Sequence, residues 1–166
     1  METRPVEIRP VRYDHPDAVA LDDLVQQEYA RRYGGDGDVT PLDPAMFAPP
    51  RGRYLIAYDG ARPLATGGWR HQEDADEGYA VGDAEIKRMF VVPQARGLGL
   101  ARRILAALEA DARAAGRARM VLETGIKQPE ALALYASSGY APVTKFGLYR
   151  TYEDSRCMAK SLVAGG

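Results

Sequence analysis

A glycine-rich junction between a predicted strand and a predicted helix stands out in the sequence, at Gln94-Ala95-Arg96-Gly97-Leu98-Gly99-Leu100-Ala101. Glycines at such a junction let the backbone approach a ligand closely. The helix that follows presents free N–H groups and a partial positive charge at its first turn. Arg96 adds a guanidinium, which binds phosphate well. Together these features favour a diphosphate ligand.

Two common nucleotide-binding motifs fit this junction poorly. A Walker loop needs Gly-Lys-Ser/Thr, but Leu100 and Ala101 follow Gly99. A dinucleotide fingerprint needs Gly or Ala where Arg102 stands, and an acidic residue about 20 residues further on. Glu123 comes late for that role and lies at the predicted start of a loop. A nucleotide-binding module is therefore only a secondary alternative.

Hydrophobic periodicity predicts alternating strands and helices around the junction. The expected strands are residues 6–11, 53–58, 62–69, 84–92, 120–123, 140–143 and 149–162, and the expected helices are 16–33, 99–115 and 129–138. The predicted strand–helix–strand unit from 84 to 123 indicates that its two strands are a parallel pair. The predicted fold class is α/β, with a single mixed, mostly antiparallel sheet, a central parallel strand pair and helices on both faces. We expect one domain over residues 1–166, with a core from about 6 to 162.

The composition excludes several classes of protein. The 166 residues are 46% hydrophobic and 27% charged, which is typical of a soluble globular domain. The net charge of -1 gives no global field for nucleic acid or a membrane, so we expect neither as a partner. One cysteine, Cys157, cannot form an internal disulfide and indicates a reducing compartment such as the cytoplasm. No Cys/His cluster has metal-ligand spacing, so we expect no metal.

Two motifs resemble those of the Gcn5-related N-acetyltransferases. The Q-x-x-G-x-G pattern of residues 94–99, after a strand that begins Ala84-Glu85-Ile86, is similar to that family's acetyl-CoA-binding motif. The segment Gln128-Pro129-Glu130-Ala131-Leu132-Ala133-Leu134-Tyr135, followed by Gly139-Tyr140, resembles its N-x-x-A-x-x-L-Y-x-x-x-G-F/Y pattern. Gln128 stands where the family often has Asn. The order of elements also matches along nearly the whole chain.

The resemblance implies the acyl-CoA N-acyltransferase fold and direct transfer of an acetyl group from acetyl-CoA, as cosubstrate, to a primary amine in a ternary complex. A non-catalytic acyl-CoA-binding or sensor domain is the alternative, and a homodimer formed through an edge strand stays open. The implied acetyl-CoA-binding residues come from the end of one strand, the junction and the second motif: Met89, Phe90, Val91, Gln94, Arg96, Gly97, Leu98, Gly99, Leu100, Ala101, Gln128 and Tyr135.

Two residues are candidates for catalysis. The resemblance implies that Tyr135 protonates the departing thiolate, and the alternative is a tyrosine that only packs in the core. Glu85 lies where the histone-acetylating branch carries its glutamate, so it is the first candidate for the base. Its alternative role is a salt bridge to Lys87 or a neighbouring arginine. His71 is a weaker candidate, and Cys157 is expected only to pack.

The acceptor pocket is expected in two loop regions, residues 29–50 and 144–150. Asp36 and Asp38 could attract a cationic amine or could form a plain turn. The acidic loop 73–78 is either solvated or attracts a cationic substrate. The acceptor stays open between small amines, amino acids and proteins. The candidates to line the pocket are Tyr29, Tyr33, Asp36, Asp38, Phe47, Lys145, Phe146 and Tyr149.

Overall fold

The computed structural model describes residues 5–163. Within them, α1 begins at a proline whose preceding residue, His15, accepts a hydrogen bond from Asp17 N and so caps the helix. The elements in chain order are β1 (Val6–Pro10), α1 (Pro16–Tyr33), β2 (Gly52–Asp59), β3 (Arg62–His71), β4 (Asp83–Val91), α2 (Leu100–Ala114), β5 (Arg119–Gly125), α3 (Pro129–Ser137), β6 (Ala141–Pro142) and β7 (Ser155–Ser161), with short 3-10 turns at Pro44–Phe47, Ala75–Glu77 and Pro93–Ala95.

The strands form one sheet in the order β1-β2-β3-β4-β5-β7-β6. Neighbouring strands are antiparallel except β4 and β5, which are parallel. The crossover that links this pair contains α2, as a parallel connection requires. The predicted fold class is confirmed.

The parallel strands separate after a short stretch of pairing. β4 pairs with β5 only over residues 83–85 and 119–121. Beyond Glu85, β4 continues to Val91 alongside β3, and β5 continues to Gly125 alongside β7. The sheet therefore opens between the two strands, and the β5-facing edge of residues 86–91 has no strand partner within residues 5–163.

Helices cover both faces of the sheet. On one face, Trp69 of β3 donates its indole N–H to Asp111 of α2 at 2.7 Å. On the other face, Tyr58 of β2 donates to Asp17 of α1 at 2.7 Å. The buried positions of α2 recur at helical spacing and fill the core against the sheet: Leu100, Ile104, Leu105, Leu108 and Ala112.

Two predicted strand boundaries were wrong in ways that affect the site. The last strand begins at Ser155 rather than at residue 149. Residues 149–151 are turn, since the Tyr149 hydroxyl reaches across to Asp38 at 3.0 Å. The strand expected to end at Glu123, with a loop beginning there, continues to Gly125, because β7 pairs with β5 over its whole length.

Candidate functional site

The junction before α2 exposes backbone groups at one end of the opening. Gly97 and Gly99 have φ values of 82° and 76°, in the left-handed region that glycine adopts without strain. A Cβ at either glycine would meet no atom within 4 Å, so open space surrounds both. No side chain within residues 5–163 caps the first turn of α2. Its N–H groups and its positive dipole end are therefore available to an anion.

Arg96 lies across the end of β4. Its Nε donates to the Val91 carbonyl at 3.2 Å, and a terminal nitrogen lies 3.2 Å from a Glu28 oxygen on α1. Its guanidinium also lies 6.0 Å from the Phe90 ring centroid. A phosphate that binds Arg96 must compete with the carboxylate of Glu28.

The other predicted acetyl-CoA residues divide into exposed and packed side chains. Leu98 is 65% exposed, and Gln94 is exposed beside it. Leu100 is buried in the core, and Ala101 follows it in the first turn of α2. Met89 packs over Gly67, where its sulfur leaves no room for an added Cβ. At the packed positions, therefore, the groups available to a ligand are those of the main chain.

A cavity of about 240 Å³ lies on the α1 face of the opening. Both predicted loop regions contribute to it, through Thr40, Pro41 and Met46 and through Leu148. None of the eight individual candidates lines it directly. Its remaining walls come from β3, the acidic loop, β4 and β5: Arg70, Gln72, Asp74, Glu77, Tyr79, Glu85, Lys87 and Glu123.

Glu85 is 2% exposed, and both of its carboxylate oxygens have partners. Two nitrogens of Arg70 lie 2.8 Å from Oε1, and the Tyr79 hydroxyl donates to Oε2. The salt bridge that the sequence left open as the alternative is thus formed, with Arg70 as the partner. Its role as a base stays a prediction.

Glu123 faces the same cavity with a freer carboxylate. No cation within residues 5–163 forms an ion pair with Glu123. The Cys157 thiol lies near its carboxylate, with the sulfur 3.9 Å from Oε2. Burial raises the pKa of Glu123 to about 7, against the opposing charge of Lys87, and the nearby Glu85, Asp38 and Glu77 carboxylates add to the rise. A carboxylate that titrates near neutrality is suited to accept a proton.

Sequence reasoning missed Glu123 because it stood at the end of the predicted strand 120–123, where a loop was expected to begin. A signal was available, since the carboxyl ends of parallel neighbouring strands meet at one edge. Val121 pairs with Glu85, so Glu123 lies two residues beyond it on the same face of β5.

Asp38 is committed to a buried network and is not a free anion. Lys87 Nζ lies 3.0 Å from it, and Arg88, whose φ is 61°, also donates to it. Burial opposes its ionisation, but Lys87 and Arg88 outweigh that effect and hold the pKa of Asp38 well below its usual range. Attraction of a cationic amine was one of two alternatives for Asp38, and both of the cations beside it here belong to the protein.

Three loops join to form the outer wall of the cavity. The Gly147 N–H donates to the Glu77 carbonyl at 2.8 Å, and Tyr149 holds Asp38. Gly147 has a φ of 82°, and a Cβ there would lie 2.9 Å from the Tyr79 hydroxyl and 3.0 Å from Glu123 Oε2. The backbone at Gly147 therefore packs directly against the Glu123 carboxylate.

Tyr135 is buried on α3. Its ring packs edge-to-face on Tyr140 with the centroids 5.7 Å apart, and Tyr140 donates to Glu109 of α2 at 2.7 Å. Burial raises the pKa of Tyr135, with a smaller contribution from Tyr29, so the phenol stays protonated at neutral pH. Gln128 donates to the Tyr33 hydroxyl at 3.4 Å rather than capping α3.

Several weaker candidates have other partners. His71 pairs with Glu73 at 2.8 Å, and Lys145 donates to the Tyr152 carbonyl at 2.8 Å. Phe47 and Phe146 are core residues. Cys157 is buried as expected, and burial raises the pKa of its thiol to about 11.

Two further features are absent from residues 5–163. No helix there has the length and hydropathy needed to cross a membrane. No group of three or more His, Cys, Asp or Glu side chains in that range is arranged to hold a metal ion.

Known structures share this architecture. A candidate acyl-CoA N-acyltransferase from Klebsiella pneumoniae superposes with a TM-score of 0.76 at 28% identity, covering 95% of this chain and 98% of that one. A candidate acetyltransferase from Salmonella typhimurium, solved with its cofactor acetyl-CoA, superposes with a TM-score of 0.72 at 16% identity, covering 98% and 96%.

Sequence comparison identifies relatives as well. An IAA acetyltransferase from Azospirillum brasilense is 38% identical over 132 residues, which are 76% of this chain and 82% of that protein. Residues 19–140 match the family described as the acetyltransferase (GNAT) family. This range includes both motifs and the whole β4–β5 opening, and the chain therefore belongs to the GNAT acetyltransferase family.

Proposed function

We propose that this protein transfers an acetyl group from acetyl-CoA to a primary amine, directly and in a ternary complex. The observation that carries the proposal is the opening between β4 and β5, which has an uncapped helix end on one side and a carboxylate-lined cavity on the other. The relative from Azospirillum brasilense is described as an acetyltransferase, which supports an acetyl donor.

Acetyl-CoA would bind along the free edge of β4. An extended chain with amide groups can add to an open strand edge as a further strand does. Residues 86–91 offer that edge, and the first turn of α2 lies at its end, where a pyrophosphate would be stabilised by backbone N–H groups. Arg96 would then exchange Glu28 for a phosphate oxygen.

The amine must lose a proton to become a nucleophile. A primary amine with a pKa near 10 is only about 0.1% neutral at pH 7, which corresponds to roughly 4 kcal/mol. We assign Glu123 as the proton acceptor, because its carboxylate faces the cavity without an ion-pair partner and its pKa is raised to about 7. Glu85 is the second candidate, and its ion pair with Arg70 must loosen before it can act.

The bond changes then follow in order. The amine nitrogen attacks the thioester carbonyl carbon, and the C–S bond breaks as the new C–N bond is completed. Glu123 takes the ammonium proton before the attack, and the Tyr135 phenol gives its proton to the departing CoA sulfur. The second N–H proton of the adduct then goes to the Tyr135 oxygen, directly or through water, so that the phenol is restored. Burial raises the pKa of Tyr135 above that of a CoA thiol, near 8.5, so the phenolate is the stronger base and must regain a proton as the thiol forms.

The test is release of free CoA thiol from acetyl-CoA in the presence of single classes of amine. Polyamines, amino acids, aminoglycosides and lysine peptides are assayed separately. Acceptor-dependent thiol release establishes the reaction. If acetyl-CoA raises the melting temperature but no class of amine releases thiol, a binding or sensor domain replaces the proposal.

A further inference from the structure

The two cations that line the acceptor cavity are already neutralised by the protein. Arg70 is paired with Glu85 at 2.8 Å, and Lys87 is paired with Asp38 at 3.0 Å. Both side chains are less than 10% exposed. A substrate carboxylate would therefore find no cation free to bind it in this cavity.

Three carboxylates that line the same cavity have no cationic partner within residues 5–163: Asp74, Glu77 and Glu123. The contrast with Glu73 in the same acidic loop is informative. Glu73 contacts His71 at 2.8 Å and Arg117 at 3.5 Å, and it does not line the cavity. Of the loop's carboxylates without a cationic partner within residues 5–163, Asp74 and Glu77 line the cavity and Asp76 does not.

These carboxylates lie close enough to influence the same region of the cavity. The Glu77 charge helps to raise the pKa of Glu123, so the two groups lie within electrostatic range of each other. The backbone of Glu77 is held in place, because its carbonyl accepts the Gly147 N–H at 2.8 Å. Glu123, at the inner wall, is mostly buried and unpaired, which makes it the natural partner of an incoming cation.

We propose that the acceptor is a diamine or polyamine, a primary amine that carries a second cationic group and no carboxylate. This inference rests on the proposed function. The reacting ammonium approaches Glu123, and the second cation binds between Glu77 and Asp74. The lining groups carry a net formal charge of -2 when Glu123 is ionised, which favours a dication and repels a zwitterion.

The experiment uses acceptors of equal length that differ only in the distal group. 1,4-Diaminobutane, butylamine and 4-aminobutanoic acid form one series, and 1,8-diaminooctane, octylamine and 8-aminooctanoic acid form a longer one. The ratio of kcat/KM for each diamine over its monoamine is measured in the wild type, Glu77→Gln and Asp76→Asn. Asp76 is the matched control, because it has the same charge in the same loop but does not line the cavity.

The expected diamine preference is about tenfold in at least one series, with the amino acid the poorest acceptor. Glu77→Gln brings that ratio close to one, and Asp76→Asn leaves it in place. Thermal unfolding checks that both variants fold.

Other outcomes overturn the inference. Equal or better use of the monoamine or the amino acid refutes it and leaves the proposed function standing. So does a diamine preference that survives Glu77→Gln. If no member of either series is acetylated while acetyl-CoA still binds, the acceptor is not a cationic amine of this class. If acetyl-CoA neither binds nor reacts, the proposed function falls as well.

Discussion

Backbone groups form one end of the β4–β5 opening, and side chains form the other. The end near α2 consists of backbone: two glycines with positive φ, an uncapped helix turn and a strand edge. The acceptor end consists of side chains from five separate segments, joined by buried ion pairs such as Arg70 with Glu85. The end built from backbone is where we propose that the donor binds. Side chains can be exchanged without rebuilding the fold, and the end built from them is where we propose that the acceptor binds.

The comparison predicts that removal of the Glu123 carboxylate lowers turnover and leaves the affinity for acetyl-CoA unchanged. Glu123→Gln is expected to lower kcat by about 10²–10³, since loss of a general base typically has that effect. Steady-state kinetics measure the loss, and acetyl-CoA titration measures binding. Reduced acetyl-CoA affinity with intact kcat would show that Glu123 belongs to the donor end.

The Tyr135 hydroxyl is expected to matter only in the chemical step. Tyr135→Phe should lower kcat by about 10–100-fold, because the thiolate then leaves without a proton donor. Tyr58→Phe is the matched control, since it removes a buried hydroxyl that bonds Asp17 far from the opening. Equal rates for the two variants would refute the assigned role.

The donor end is expected to be sensitive to a Cβ where the ligand approaches. Gly99→Ala should raise the KM for acetyl-CoA about tenfold and leave the KM for the amine unchanged. Gly116→Ala is the control, because Gly116 has a φ of 83° and equally open surroundings outside the site. Since both variants carry the same backbone strain, only a ligand contact separates them. A similar KM in both would remove the junction from the donor site.

The raised pKa of Glu123 also has a consequence for stability. A carboxyl whose pKa is about 7 in the folded protein and 4.5 in the unfolded chain binds more protons when folded, so its contribution to stability is lost as pH rises through that window. Glu123→Gln should therefore be more stable than wild type at pH 8, by about 1–3 kcal/mol, and equal to it near pH 4. Urea unfolding at both pH values measures this, and a variant less stable at pH 8 would contradict the burial argument.

The donor end was predictable because its determinants are local. Gly97, Gly99 and the following apolar spacing lie within a few residues of one another, and local backbone preference decides their structure. The second motif was equally local.

The acceptor end depends on contacts between distant segments. Arg70 and Glu85 meet because β3 and β4 pair, and Asp38 meets Arg88 across a sheet face. The predicted strand at 149–162 was wrong at its start because Tyr149 bonds Asp38. Secondary-structure propensity does not encode contacts between distant segments, so the roles of Asp38 and Lys87 emerged only from the folded chain.

The most direct test of the account is the pH dependence of kcat/KM in the wild type, Glu123→Gln and Glu85→Gln. The wild type should lose activity below about pH 7, as Glu123 takes up a proton. Glu123→Gln should lack this loss of activity below pH 7 and show only the steady rise with pH that ionisation of the amine causes. Glu85→Gln should still lose activity below pH 7. If this loss persists in Glu123→Gln and disappears in Glu85→Gln, the proton acceptor is Glu85 and the assignment of Glu123 is wrong.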